Sequence, residues 1–237
     1  MVLSIIDSVG YNSSSSNTVT LDYSAISYNS GDIAIAVDSC YSTSGAATTY
    51  DNYSEGWTLL GSQRTIGSDL GYNSVNIKIL TGSETGIFEN IFSSTVQRSG
   101  NLVIVRDSSL DRSSVANLVD DMSNSDYEVS DTIVRAGSVT ITSDNAVAIY
   151  IGLNAYSVTT NVITPPTGFT TIRNTGGPAS DIYTNISYKE SMSSGATGNL
   201  DGSITNAVTG KHGYLLVLNP GEISTNNILP PMIGSSF

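Results

Sequence analysis

The sequence predicts an all-β protein, a jelly-roll-like β-sandwich built from two pseudo-duplicated halves that fold as a single unit over residues 1–237. Three observations predict it. Short apolar runs alternate residue by residue with Ser, Thr and Asn, the period of strands half buried in a sheet. Turn clusters rich in Gly, Asn and Asp separate these runs without the 10–15-residue helices that an α/β fold interposes. One stretch also recurs: Gly56-Trp57-Thr58-Leu59-Leu60 leads to a closing run Gly100–Val105, and Gly168-Phe169-Thr170-Thr171-Ile172 leads to Gly213–Val217. Trp57 to Val105 and Phe169 to Val217 are both 48 residues.

In chain order, residues 1–17 open apolar and then enter Ser13-Ser14-Ser15-Ser16-Asn17, read as a flexible polar loop. Val19, Leu21 and Tyr23 alternate with polar residues, as in a strand with one buried face. The turn cluster Asn29-Ser30-Gly31-Asp32 feeds a strand over Ile33–Tyr41, with Ile33, Ile35 and Val37 on one face and the small Ala34 and Ala36 on the other. Strands are also expected over Trp57–Ile66 and Ser74–Leu80, with a less regular element around Phe88, Ile91, Phe92 and Val96. Leu102–Val105 is apolar on both faces, which suits a central strand.

These elements form a first pseudo-repeat, 18–106, followed by a connector, 107–137. Within the connector Val115, Leu118, Val119 and Met122 fall at helical spacing behind Ser113 or Ser114, either of which can cap, so a short helix is expected. Asp120-Asp121 and Glu128 make it acidic and solvated. The second pseudo-repeat, 138–218, begins where Ser138-Val139-Thr140-Ile141 echoes Thr18–Leu21 and Ala146–Ile151 echoes Asp32–Val37. Pro165-Pro166 fixes the turn before Phe169. A tail, 219–237, carries Ile228-Leu229-Pro230-Pro231-Met232-Ile233, an apolar segment unable to join a sheet interior and suited to wrapping the domain or gripping a partner.

Composition excludes some functions. Charged residues make up 13% of the chain, about half the usual fraction, and the net charge is −12. Nine scattered Lys and Arg provide no basic stripe, so neither nucleic acid nor an anionic membrane is an expected partner. No apolar run approaches the ~20 residues of a spanning helix, and the N-terminus lacks the pattern of a signal peptide. Cys40, the one cysteine, has no internal disulfide partner and reads as a buried apolar side chain.

Chemistry is sparse. The one histidine, His212, stands in Gly210-Lys211-His212-Gly213, read as a turn, and no Gly-x-Ser-x-Gly elbow precedes a helix. One His and one Cys do not make an ordinary zinc or copper site. Asp32, Asp38, Asp51, Glu55 and Asp69 form no recognisable carboxylate pair for glycoside hydrolysis. Asp51-Asn52 and Asp144-Asn145 are too sparse for a calcium loop. Neither enzyme activity nor a cofactor is expected. The aromatic side chains are more informative: Tyr23, Tyr28, Tyr41, Tyr50, Tyr53 and Tyr72 crowd the first half, and exposed tyrosines can anchor a subunit contact or stack on a sugar face. Tyr50, Tyr53, Tyr72, Ile228, Leu229 and Met232 are the residues picked out for partner or glycan contact.

Gly31-Asp32 before an apolar strand, a Gly-Trp-Thr opening, an alternating strand and a closing apolar strand resemble β-sandwich proteins common in tailed-phage genomes, known as virion structural proteins. Those proteins carry Pro-Pro-x-Gly before the aromatic residue. Pro165-Pro166-Thr167-Gly168-Phe169 keeps that form, while the first copy has Tyr53-Ser54-Glu55-Gly56-Trp57. The resemblance covers about residues 18–218. It implies a non-enzymatic bacteriophage virion protein made in the host cytoplasm, first of all a capsid decoration or cement protein. Its partners would be the major capsid protein or tail proteins, and it would form a homo-oligomer. A tail, baseplate or fibre component, and a carbohydrate-binding module for host surface glycans, are the alternatives.

Overall fold

The computed structural model describes residues 3–42, 49–50, 56–61, 70–125, 130–154, 162–176, 182–208 and 210–221. These form sixteen strands and one short helix: β1 (Ser4–Asp22), β2 (Ile33–Ser42), β3 (Thr49–Tyr50), β4 (Thr58–Leu59), β5 (Leu70–Ile79), β6 (Ile87–Arg106), α1 (Val115–Leu118), β7 (Val119–Ser125), β8 (Asp131–Ala136), β9 (Thr140–Ile141), β10 (Ala146–Asn154), β11 (Ile163–Thr164), β12 (Thr170–Gly176), β13 (Tyr183–Met192), β14 (Gly195–Ala196), β15 (Leu200–Val208) and β16 (Lys211–Leu218). The protein is all-β.

In the first half the strand order is β1-β6-β2-β5-β4, and β3 pairs with β6 off that path. β1 and β6 make one long antiparallel ribbon. Residues 4–13 and 98–106 of the ribbon lie in the sheet. Residues 16–22 and 87–96 fold over its outer face, where Val19, Leu21, Tyr23 and Phe88 pack on Ala34, Ala36, Leu102 and Ile104. The small alanines foreseen on that face make room for this second layer. A ribbon folded across two layers, with further strands added beside it, is a jelly-roll winding.

The second half repeats the winding. Its sheet runs β7-β16-β10-β13-β12, position for position the order of the first. Its outer layer is the three-stranded sheet β11-β15-β8, packed on Ala146, Ala148, Tyr150, Leu215 and Val217. The expected sandwich of two related halves is therefore present, with the roll wound once in each half.

The two inner faces meet. Ile33, Ile35, Val37, Val75, Ile77, Val103 and Val105 pack against Val147, Ile149, Ile151, Ile186, Tyr214, Leu216 and Leu218 in one core cluster. Strands buried on both faces account for the near-continuous apolar runs at 33–37, 102–105, 146–151 and 214–218.

Several expectations are corrected. Ser13–Asn17 belongs to β1, where register shifts at Ser13/Ser16 and Ser16/Thr18 bend the ribbon into its second layer. The helix stops at Leu118, because Val119 already pairs with Leu218 at the start of β7. Val115, Val119 and Met122 still reach the shared core, which is what their spacing recorded. The stretch taken as a connector to residue 137 contains β7 and β8, the counterparts of the two ends of β1, so the second copy of the strand order starts near 119. Asp120 and Asp121 accept hydrogen bonds from the Thr142 and Thr140 N–H groups at 2.7 and 3.1 Å, tying β7 to the β9 segment. The equal 48-residue spacings also match Val105 with the wrong residue. Val105 faces the shared core while Val217 faces the outer layer, so the counterpart of Val105 is Leu218.

Candidate functional site

Apolar alternation gives way to polar residues at one end of both sheets. Strand registers bring Asp38 opposite Ser74 and Gly100, and Gly152 opposite Asn185 and Gly213. Across the seam the Asn101 side-chain amide donates to the Thr184 carbonyl and hydroxyl oxygens at 3.0 and 2.7 Å, so the polar ends of the two sheets are the same end of the molecule. From this end the chain leaves β2 and β10 and enters β5 and β13.

The buried polar groups are held by one another. On the outer side of the first sheet the Asp38 carboxylate accepts from the Ser74 hydroxyl and from Asn90 Nδ2 (2.6 Å), and Asn76 Nδ2 donates to Ser74 Oγ at 2.8 Å. Arg98, fully buried, donates from Nε to the Ser16 carbonyl at 2.7 Å in the bend of the ribbon. Burial lowers the Arg98 pKa, against the opposing pull of Cys40, Asp38 and Tyr11. On the inner side Ser39 Oγ donates to Asn73 Oδ1 at 2.6 Å. In the second half Ser187 Oγ donates to Asn185 Oδ1 (2.6 Å), and Asn185 Nδ2 to Asn174 Oδ1 (2.8 Å). Lys211, also fully buried, donates to the Asp131 carbonyl oxygen at 2.7 Å and to its carboxylate.

The opposite end is held by an ion pair. Arg106 grips Asp32 with two hydrogen bonds of 2.7 Å each, and the Asn29 N–H adds a third to the same carboxylate. Burial alone would raise the Asp32 pKa, but these bonds and the charges of Arg106 and Arg112 outweigh it and hold the pKa below the ordinary aspartate value. Asp32 thus serves as a clasp between the start of β2 and the end of β6.

His212 lies inside β16 opposite Leu153 and is 1% exposed, so the reading of a turn residue is corrected and a substrate does not reach its ring. Cys40 is fully buried, as expected. Tyr23 and Tyr28 meet at a tilt, 5.8 Å between centroids, and Tyr23 meets Trp57 edge-on at 6.3 Å, so these rings belong to the core and its margin. Among the described residues no group of three or more His, Cys, Asp or Glu could hold a metal ion.

Of the residues picked out for partner or glycan contact, Tyr50 lies in β3, paired with Ile91, and Tyr72 in β5, paired with Cys40. Tyr53, Ile228, Leu229 and Met232 lie outside the described residues, as do Asp51, Glu55 and Asp69. Sequence reasoning missed the polar network and its two buried cations. The signal was there in Asp38, Arg98 and Lys211, charged residues set into or against otherwise apolar strands. No protein-family model, curated protein or solved structure matches the chain.

Proposed function

We propose that this protein is a non-enzymatic structural subunit of a tailed-phage virion, one that decorates or cements the head. The observation that carries the reading is the use to which the buried ionisable groups are put. Asp32, Asp38, Arg98 and Lys211 are buried and hydrogen-bonded within the fold, and each ties strands or their ends together through those bonds. Such groups serve rigidity, which leaves the outer surface as the working part. The Gly-Trp-Thr and Pro-Pro-x-Gly resemblance to virion β-sandwich proteins supplies the setting. Affinity for the capsid would come from buried area and a few aromatic or apolar anchors, with Tyr50, Tyr53, Tyr72, Ile228, Leu229 and Met232 as the first residues to test.

The test is to detect the chain in purified particles, locate it by electron microscopy, and strip it from the heads. Heads that lose heat and salt resistance on stripping, and regain it when the protein is added back, support cementing. Particles without the chain, or stripped heads as resistant as before, reject it. A position on the tail or fibres assigns it to the alternative virion role.

A further inference from the structure

We infer that the seam between the two sheets is an association surface between two separately wound rolls, so that one chain is a fused dimer in which the second half is the partner of the first. The core clusters divide along that line. One lies wholly within the first half, around Trp57, Phe88, Leu102 and Ile104. Another lies wholly within the second, around Tyr150, Ile163, Leu215 and Val217. Only the third is shared: its strand residues come from matching strands, β2, β5 and β6 on one side and β10, β13 and β16 on the other, and Leu3, Leu110 and Leu118 complete it. Each roll thus has a core of its own, and each spans about 100 residues, enough to sustain one.

The packing across the seam follows the order of a two-fold interface, in which surface i meets surface j and j meets i, with the β1/β12 side packed closer than the β7/β4 side. β1, the edge strand of the first sheet, runs beside β12, the edge strand of the second, with Gly10 pressed against Thr175 and Arg173. The converse pairing is also present: Met122 of β7, the counterpart of β1, reaches Gly61 beside β4, the counterpart of β12, with its Cε at 3.4 Å from where a Gly61 Cβ would stand. Polar contacts flank the apolar middle, with Asn101 on Thr184, Arg173 Nη1 on the Ser8 carbonyl at 3.3 Å, and the Leu3 N–H on Glu190. An apolar centre with a polar rim is the anatomy of a protein–protein interface.

The test keeps the full chain and cuts it after folding. A protease recognition sequence is inserted between Arg112 and Ser113, and the folded protein is cleaved. The expected result is that both fragments elute together at the mass of the uncut chain, and that the melting midpoint now rises with protein concentration, as for a dissociating pair. A second variant adds Ile35→Glu and Ile149→Glu to weaken the seam, so that the cut fragments part. Trp57, the one tryptophan, reports on the first roll alone, and its emission is expected to stay that of a buried indole after the fragments separate. Fragments that unfold or precipitate on cleavage, a midpoint indifferent to concentration, or Trp57 emission that turns to that of unfolded chain on separation would each overturn the inference. None of these outcomes depends on the virion reading.

Discussion

Arg98 and Lys211 occupy one position in the two halves. Each stands two residues ahead of a glycine, Gly100 or Gly213, and seven ahead of the residue, Val105 or Leu218, that pairs with the start of the central strand. Each is fully buried and donates to a main-chain carbonyl of the opposing arm of its ribbon, Ser16 in one case and Asp131 in the other. A ribbon that folds from one layer into the next turns carbonyls away from their ladder partners, and a long cation supplies donors there. Arg98→Ala is therefore expected to cost about 3 kcal/mol in denaturant unfolding, since it strands the half-buried Ser16 carbonyl and removes the nearby charge from Asp38.

At the second bend the cost should depend on which partner is removed. Lys211 is sealed, while the Asp131 side chain is 28% exposed and can turn to water. Asp131→Ala leaves a buried ammonium with fewer acceptors, whereas Lys211→Met leaves a carboxylate that can be hydrated. Asp131→Ala should lower stability by about 2 kcal/mol or more and Lys211→Met by less, the order to be read from urea midpoints.

The Asp32–Arg106 clasp predicts a pH dependence. The folded pKa of Asp32 lies below the unfolded value, so its contribution is complete above pH ~4 and fades as the pH falls through the folded pKa. Asp32→Asn should destabilise the protein at pH 7, and the gap to the parent should close in acid. Unfolding curves at both ends of that range measure it; a gap that stays constant into strong acid would show that the carboxylate charge is not what matters.

Two glycines should differ in what they tolerate. A Cβ on Gly213 would run into the Arg135 carbonyl and the Ala136 nitrogen, all main chain, while one on Gly100 would meet the Val19 methyl at 2.9 Å and the Val37 carbonyl at 3.1 Å. Gly213→Ala is expected to cost about 3 kcal/mol or to prevent folding, and Gly100→Ala about 1–2 kcal/mol. Thermal midpoints of the two variants give the comparison.

Trp57 is 6% exposed and meets the edge of Phe88 at 5.0 Å, so Trp57→Ala should cost about 3–5 kcal/mol. Its counterpart Phe169 is only half buried, 6.1 Å from Tyr150, and Phe169→Ala should cost less. Equal losses would mean that the two aromatic positions are not set apart by burial.

Much of this architecture was legible from residue periodicity, and the rest was hidden for identifiable reasons. Ile33–Val37, Val75–Ile79 and Leu102–Val105 announce central strands because both of their faces, or one of them completely, are apolar. β1 and the first part of β6 do not, because the ribbon changes layers midway and its inward face changes with it; in β1 Ser13–Asn17 is where that happens. β7 was masked by helical spacing that is real for a single turn, until pairing with Leu218 takes over. The duplication was visible in Gly56-Trp57 and Gly168-Phe169, both glycines having positive φ, but its start near residue 119 was not, since β7 and β8 share no motif with β1. The polar network could not be assembled from sequence, because Asp38, Ser74 and Asn90 become neighbours only through strand pairing and the fold-over of the ribbon.

The placement of Leu3 and Gly221 has a practical consequence. Leu3 enters beside Arg106, and Gly221 leaves beside Ser109, both at the pole of the Asp32 clasp and away from the pole where Asn101 meets Thr184. A tether placed at Leu3 or at Gly221 would therefore hold the molecule by the same pole. An array of molecules anchored in this way would present the opposite pole outward, with a uniform orientation set by the fold.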